Sequence, residues 1–257
     1  MKPVSLEDVI SAIRREDFYF EFQSQHNMHS NEIIGVEALI RWHCHDRGFV
    51  SPDKFIPLIE STEYMQYVME WQILKLCKMA AEWCDMGYHI PVAINVPAGQ
   101  ILHPGFTKMV ISAMSRSNLD PESGLIEIEI TERSTIDASV IGVVEKLRQS
   151  HIPVSLDDFG TGHANLSALQ HIPFSKIKID QSFVKDINNG GFAIVEFIIA
   201  LGNRMGVEVI AEGVETSYQV KMLKRMGCDK AQGFYYSTPM KFDDLTAFFT
   251  TSGLRNK

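Results

Sequence analysis

The chain is poor in cysteine, with four among 257 residues. Cys44, Cys77, Cys84 and Cys228 form no Cys-x-x-Cys pair and no zinc spacing, which removes a dithiol redox centre and a structural zinc site. Cys77 and Cys84 share a helical stripe with Met69, Ile73, Leu76 and Ala80, so they read as buried free thiols. Basic charge is also short: 24 Lys and Arg stand against 32 Asp and Glu, a net −8, with no basic run. That argues against a non-specific surface for DNA or anionic membrane, but not against a small phosphate-bearing substrate held by cations in a site. Long apolar runs are missing. Residues 192–201 form the longest, are interrupted by Glu196, and are too short to span a bilayer. Residues 1–8 lack the apolar core of a signal peptide. The expected location is the cytoplasm, with neither DNA nor membrane as partner. No Gly-x-Gly-x-x-Gly turn opens a helix, which weakens the case for a dinucleotide-binding sheet.

What is present is an alternation. Residues 5–15 read as an amphipathic helix with Ser5 as cap and Glu7 and Asp8 in its first turn. Two extended runs, 18–25 and 32–42, flank a polar turn at 26–31 that suits an antiparallel hairpin. Ser51-Pro52-Asp53 starts a helix. Helical stretches near 64–87, 105–117, 136–150, 165–170, 192–205 and 216–226 then lead into strands at 91–96, 124–131, 154–157, 176–180, 207–211 and 230–232. A last helix covers 242–251. About eight strands alternating with helices in about 250 residues favour a closed (β/α)8 barrel over an open sheet. The expectation is one domain, a barrel over 16–257 with the helix of 1–15 packed on it.

Almost every one of those strands hands over to its loop with an acid, an amide or a lysine. They are Glu37, Asn95, Glu129 with Glu132, Asp157 with Asp158, Lys178 with Asp180, Glu212 with Glu215, and Gln232. In a parallel barrel these strand ends share one rim, where such folds place their chemistry. So many acids with little basic compensation would repel one another unless cations were bound. Oxygen and amide ligands without clustered His or Cys point to Mg²⁺ or Mn²⁺ rather than Zn²⁺. Adjacent Asp157 and Asp158 suit two ions, the usual device for in-line displacement at phosphorus; a solvated Asp-Gly turn is the bland alternative. Lys178 either orients a water and supports developing charge on phosphorus, or simply neutralises a neighbouring acid. His43 and His45 read as surface residues, and His163 lies close to the site without being needed as a ligand.

The blocks themselves resemble a known family. Val36-Glu37-Ala38-Leu39-Ile40-Arg41-Trp42 looks like the signature of the EAL-domain phosphodiesterases, which cleave cyclic di-GMP. The likeness continues through Asn95, Glu129-Ile130-Thr131-Glu132, Asp157-Asp158-Phe159-Gly160-Thr161-Gly162, Lys178-Ile179-Asp180, Ala211-Glu212-Gly213-Val214-Glu215 and Gln232-Gly233. It covers residues 16–250, and ordered blocks at similar spacing make it specific. The resemblance implies a TIM-like barrel whose first strand is antiparallel to the second. It implies Glu37, Asn95, Glu129 and Asp157 as ligands of one ion, and Asp157, Asp158 and Glu212 as ligands of another. By the same likeness Lys178 positions the attacking water, and Glu132 fixes the loop after Asp158. Glu215 and Gln232 complete the water network behind the ligands, and Asp180 stands with Glu132 and Glu215 among the residues that support the loops and ligands. Gln23 and Arg41 meet the substrate, Arg41 through a phosphate oxygen that suits its forked donors. The implied reaction is hydrolysis of one diester bond to give linear pGpG, and the implied assembly is a homodimer formed through the region after the paired aspartates.

Several positions depart from the family pattern: Ser24 where Pro is usual, Pro97 where Ser is usual, Thr238 where Arg is usual, and His163-Ala164-Asn165 in place of Tyr-Ser-Ser. None removes an implied ligand; they bear on the shape and affinity of the substrate pocket. Two other classes of function remain open. One is a cyclic di-GMP receptor or partner-binding module without turnover, and the other a metal-dependent barrel phosphodiesterase for a different diester.

Overall fold

The strands join in the order β1-β9-β8-β7-β6-β5-β4-β2-β3, and a further β1–β2 pairing closes eight of them into a barrel, leaving β3 as a short flap on β2. A computed structural model describes residues 3–131, 138–161 and 172–252 of the chain. In chain order the elements begin with α1 (Leu6–Arg15), β1 (Phe18–Asn27), β2 (Ile33–Cys44), β3 (Gly48–Val50), α2 (Pro52–Ile59) and α3 (Glu63–Asp85). Then come β4 (Val92–Asn95), α4 (Ala98–Ile101), α5 (Phe106–Arg116), β5 (Ile126–Thr131), α6 (Ala138–Gln149), β6 (Val154–Phe159) and β7 (Lys176–Ile179). The last are α7 (Gln181–Lys185), α8 (Gly191–Met205), β8 (Glu208–Ala211), α9 (Ser217–Arg225), β9 (Lys230–Gln232) and α10 (Phe242–Thr251).

Strands β2 and β4 to β9 run parallel to one another, while β1 is antiparallel to both β2 and β9. The (β/α)8 barrel with an antiparallel first strand is therefore the observed architecture. Helix α1 carries a complete capping box between Ser5 and Asp8 and buries Val9 and Ala12 against the body, as the amphipathic reading expects. The helical stretch expected near 165–170 lies outside the described residues. Sequence patterning did not anticipate β3, α4 or α7, each of three to five residues, too short to show a period.

The pleat sorts the barrel strands into two faces. Ile126, Ile128 and Ile130 of β5, Val154 and Leu156 of β6, and Ile177 and Ile179 of β7 turn outward into one apolar layer beneath the helices. Each such side chain contributes about 1.5–3 kcal/mol by leaving water. The alternate positions, Glu127, Glu129, Ser155, Asp157, Lys176 and Lys178, are buried and polar and line the lumen. Oil thus holds the barrel from outside, and its interior is left to charge. No helix among the described residues is long and apolar enough to cross a membrane.

Candidate active site

Lys178 organises the lumen at the C-terminal rim. Its side chain is fully buried, and Nζ lies 2.7 Å from Glu212 Oε1, 2.8 Å from Glu129 Oε2, 3.2 Å from Asp157 Oδ1 and 3.3 Å from Glu37 Oε2. Four strands, β2, β5, β6 and β7, and the residue just after β8 deliver these groups to one point. Burial alone would lower the lysine pKa, but Asp157, Glu129, Glu212 and Glu37 together raise it well above its ordinary value. One positive charge cannot satisfy so many acids. Burial, only partly offset by Lys178 and reinforced by neighbouring carboxylates, holds Glu129 and Glu212 well above the carboxylate range and raises Asp157. Glu37 alone shifts down: burial pushes it up, but Lys178 and the amides of Gln232 and Asn95 outweigh that.

Asp157 and Asp158 reach the same site because the strand breaks its alternation between them. The β6–β7 register shifts between Leu156 and Phe159, and Asp158 adopts φ +54°, a left-handed conformation unusual outside glycine. The Asp158 N–H donates to Asp157 Oδ1 at 2.9 Å. Gly160 completes the turn at φ +99°, where a Cβ would lie 2.8 Å from the Phe183 ring. Burial first, then the charges of Asp157 and Asp180 and a hydrogen bond with Asp180, raise the Asp158 carboxyl to about 6. Asp180 is itself tied down, accepting from the Ser182 N–H at 2.9 Å to cap α7.

The amides form the other wall. Asn95 Nδ2 donates to Glu37 Oε1 at 2.7 Å, and Gln232 Nε2 donates to Glu37 Oε2 at 2.6 Å. Gln232 Nε2 also reaches Gln23 Oε1 at 3.1 Å, so Gln23, Gln232, Glu37 and Asn95 are linked across four strands. The buried Gln72 of α3 holds the main-chain carbonyl of Asn95 at 3.2 Å.

The donor set suits hard divalent cations. Glu37, Glu129 and Asp157 offer carboxylate oxygens within 4.8 Å of one another, as do Asp157, Asp158 and Glu212, and Asp157 belongs to both groups. Glu129 Oε1 is buried with no hydrogen-bond partner among the described residues, a carboxylate oxygen that a cation would satisfy. The ligands are oxygen throughout, as Mg²⁺ or Mn²⁺ requires.

Other sequence-singled residues sit farther out. Arg41 lies up the same strand as Glu37, where its Nε donates to Glu21 Oε2 at 2.7 Å and its Nη1 to Ile40 O at 3.2 Å. Glu215 is exposed, 3.7 Å from Lys185, and does not touch the acid cluster; its N–H is held by Gln219 at 2.8 Å. Glu132 and His163 lie outside the described residues. His43 and His45 are exposed, as expected. Two hollows flank the acids: about 370 Å³ beside Arg41, Ile56, Pro57, Asn95 and Pro97, and about 230 Å³ beside Gln23, Glu212, Gln232, Lys185 and Phe234. A larger hollow of about 990 Å³ opens at the opposite end of the barrel, between Arg148, Phe174 and Arg204, and contains none of the clustered acids. In barrels of this kind chemistry belongs to the C-terminal rim.

Sequence reading missed Glu21 as the partner of Arg41, and a second buried pair, Lys176 Nζ to Glu127 Oε2 at 2.7 Å. The two-residue period gave a signal for the latter, since Glu127 and Lys176 stand two places before Glu129 and Lys178. Glu21 carries no local signal, because its partner is twenty residues away.

Known proteins resemble this chain over most of its length. The EAL domain family matches residues 6–239. The bifunctional diguanylate cyclase/cyclic di-GMP phosphodiesterase MucR of Pseudomonas aeruginosa is 35% identical over 246 residues, covering 94% of this chain and 36% of that protein. The chain thus spans about a third of the length of that curated relative. Among solved structures, the MucR phosphodiesterase in complex with c-di-GMP superposes with a TM-score of 0.88 at 33% identity, covering 93% of this chain and 98% of that one. The EAL enzyme Bd1971, with cAMP and cyclic-di-GMP bound, gives 0.89 at 30% identity, covering 94% of this chain and 67% of that one.

Proposed function

The chain belongs to the EAL-domain family, and from that premise we propose that it hydrolyses cyclic di-GMP to linear pGpG with two divalent ions, Mg²⁺ or Mn²⁺. The observation that carries this reading is the single ammonium of Lys178 set among Glu37, Glu129, Asp157 and Glu212, with a buried Glu129 oxygen left unpartnered. Glu37, Asn95, Glu129 and Asp157 would hold one ion; Asp157, Asp158 and Glu212 would hold the other. When bound, such ions supply an activated water at neutral pH and Lewis-acid stabilisation of the phosphoryl oxygens. Lys178, whose ammonium lies within 3.3 Å of four carboxylates, would donate hydrogen bonds to orient the attacking water. Gln232 and Asn95 fix both oxygens of Glu37, so that carboxylate does not rotate as charge moves through the site. Arg41 takes a phosphate oxygen, Gln23 contacts the substrate from the neighbouring strand, and Asp180 and Glu215 support the loops around the ligands. Glu132 is assigned the loop after Asp158 by resemblance alone. Two hollows on either side of the acids suit a ligand with two bases joined through one phosphate-bearing ring.

The test is incubation with cyclic di-GMP and Mg²⁺ or Mn²⁺, following products by chromatography beside a chelator control. Cation-dependent pGpG is the expected result. Tight binding without turnover would instead make the chain a receptor; turnover of other diesters in preference would overturn the substrate. We place the protein in the cytoplasm, in keeping with four free cysteines, and propose a homodimer. The region after the paired aspartates, first expected to form its interface, lies partly outside the described residues. Exposed Phe192, Ile194 and Phe197 on α8 favour self-association nearby. A concentration-independent monomer mass in light scattering would defeat the dimer.

A further inference from the structure

At Ser24 the chain replaces the family's usual proline with a hydroxyl, and the structure gives that hydroxyl a place. Ser24 is fully buried; its Oγ lies 2.6 Å from Ser237 Oγ and 2.8 Å from His26 Nε2. The Ser24 N–H, which proline would lack, points to Ser237 Oγ at 3.4 Å. His26 Nδ1 is 3.3 Å from the Asn31 carbonyl, and Tyr236 stacks on the imidazole at 4.6 Å and 17°. A carbonyl only accepts, so Nδ1 carries the proton and Nε2 of the neutral ring is the acceptor. The direction of the whole chain follows. Ser24 O–H donates to His26 Nε2, and Ser237 O–H donates to Ser24 Oγ. Burial, which lowers the His26 pKa, agrees with a neutral ring.

The position of this chain in the fold matters. Strand β1 is hydrogen-bonded to β9 at Gln25–Gln232, and to Met240 at Phe22, where the two main chains exchange bonds at 2.7 and 2.9 Å. Between those points residues 233–236 leave the sheet as a loop. Gly233, at φ +155°, starts it packed so closely on the Val214 backbone that a Cβ would collide there. The loop carries Phe234 and Tyr235, both exposed, and Phe234 lines the hollow beside Gln23, Glu212 and Gln232. Ser237 anchors its far end by two routes: its hydroxyl bonds Ser24, and its carbonyl accepts from Gln23 Nε2 at 3.0 Å.

We propose that His26, Ser24 and Ser237 form a buried positioning relay that fastens residues 233–236 over the substrate hollow and sets the orientation of the Gln23 amide. Gln23 in turn meets Gln232, which holds Glu37, so the relay ends on the acid cluster. It deepens the phosphodiesterase reading, on which its kinetic part rests, and none of His26, Ser24 and Ser237 is placed among the ligands or on the reacting atoms.

Two measurements test it. The first needs no substrate: ring ¹⁵N chemical shifts of His26 are expected to show the neutral Nδ1–H tautomer at neutral pH, with the Nε2 signal moving in Ser24→Ala. An Nε2–H tautomer or an imidazolium would overturn the relay whether or not cyclic di-GMP is turned over. The second is kinetic. Ser24→Ala and Ser237→Ala are each expected to raise KM about five- to tenfold at little-changed kcat, as loss of one buried hydrogen bond allows. The double variant is expected to be no worse than either single one, since both break the same chain. A lowered melting temperature with unchanged KM, or single effects that simply add, would reduce these residues to packing.

Discussion

The lumen holds two lysines two residues apart on β7, and they have different company. Lys176 faces one carboxylate, Glu127, at 2.7 Å, with Gln25 Oε1 at 3.4 Å. Lys178 faces four. Both pairs are buried, both join β7 to β5, and each leaves one carboxylate oxygen without a partner among the described residues, Glu127 Oε1 below and Glu129 Oε1 above. An ion pair by itself therefore does not mark the site. The lower pair balances its charge and reads as scaffold. The upper cluster carries more acids than Lys178, its one cation among the described residues, can balance, and that imbalance is what a divalent cation would answer.

Removing each lysine should separate the two layers most sharply. Lys178→Met is expected to lower hydrolysis by at least about 10²–10³-fold, the scale on which a charge-stabilising donor at the reacting centre acts. Replacing both partners of the lower pair, Lys176→Met with Glu127→Leu, is expected to leave turnover near that of the parent. Its stability should also hold, because exchanging a whole buried pair for apolar side chains is often close to neutral, whereas removing one partner costs about 3–5 kcal/mol. Equal losses of activity in the two variants would abolish the distinction between the layers.

Cation binding gives the next largest contrast. Mg²⁺ or Mn²⁺ at a hundred times its Kd is expected to stabilise the fold by about 2.7 kcal/mol for each ion bound, a rise of several degrees in Tm. Asp157→Asn, which touches both candidate ligand groups, should abolish the rise; the double change in the lower layer should not. The pH dependence has a definite sign. Asp158 titrates near 6 when folded and near 4 as a free side chain, chiefly because of burial. Without cations, the stability linked to this group is present at low pH and lost as pH rises through that interval. With cations the slope should invert, because the ligand must shed its proton before it binds, so affinity falls as pH drops below about 6. Thermal melts across pH 5–7 with and without Mn²⁺ check this. Parallel slopes would mean that the carboxyl cluster does not bind the cation.

How much of this was legible in the sequence follows from the same periods. The barrel could be read because long helices and two-residue alternation repeat along the chain, and the antiparallel first strand because residues 18–25 and 32–42 flank a polar turn. The acids could be read as a site because each closes a strand, and parallel strands bring their ends together. What could not be read is how those groups meet. Lys178 reaches four carboxylates from four other places in the chain, and nothing local to residues 176–180 encodes that number. The kink that turns Asp157 and Asp158 to one side depends on a register shift against β7, a tertiary event. Glu215 also closes a strand-end block, and nothing local to that block shows that the loop turns its side chain towards solvent and Lys185.

The smallest expected effect concerns a third cation and acid, Arg41 and Glu21, at the rim. Like Lys176 this pair is one to one; like Lys178 it faces the proposed substrate, and its side chains are 14% and 25% exposed. Glu21 holds the guanidinium through Nε and the Ile40 carbonyl holds Nη1, so the remaining terminal N–H groups are presented in a fixed plane. A lysine has no such plane and cannot be held at one end while it binds at the other. Arg41→Lys is therefore expected to raise KM about tenfold, the equivalent of about 1.4 kcal/mol, with kcat little changed. Glu21→Gln, which keeps an acceptor for Nε but removes the charge, should raise KM by less. If Arg41→Lys instead lowers kcat and leaves KM alone, the guanidinium acts on the transition state. It would then belong with Lys178 in the reacting layer, not with the residues that grip the ground-state diester.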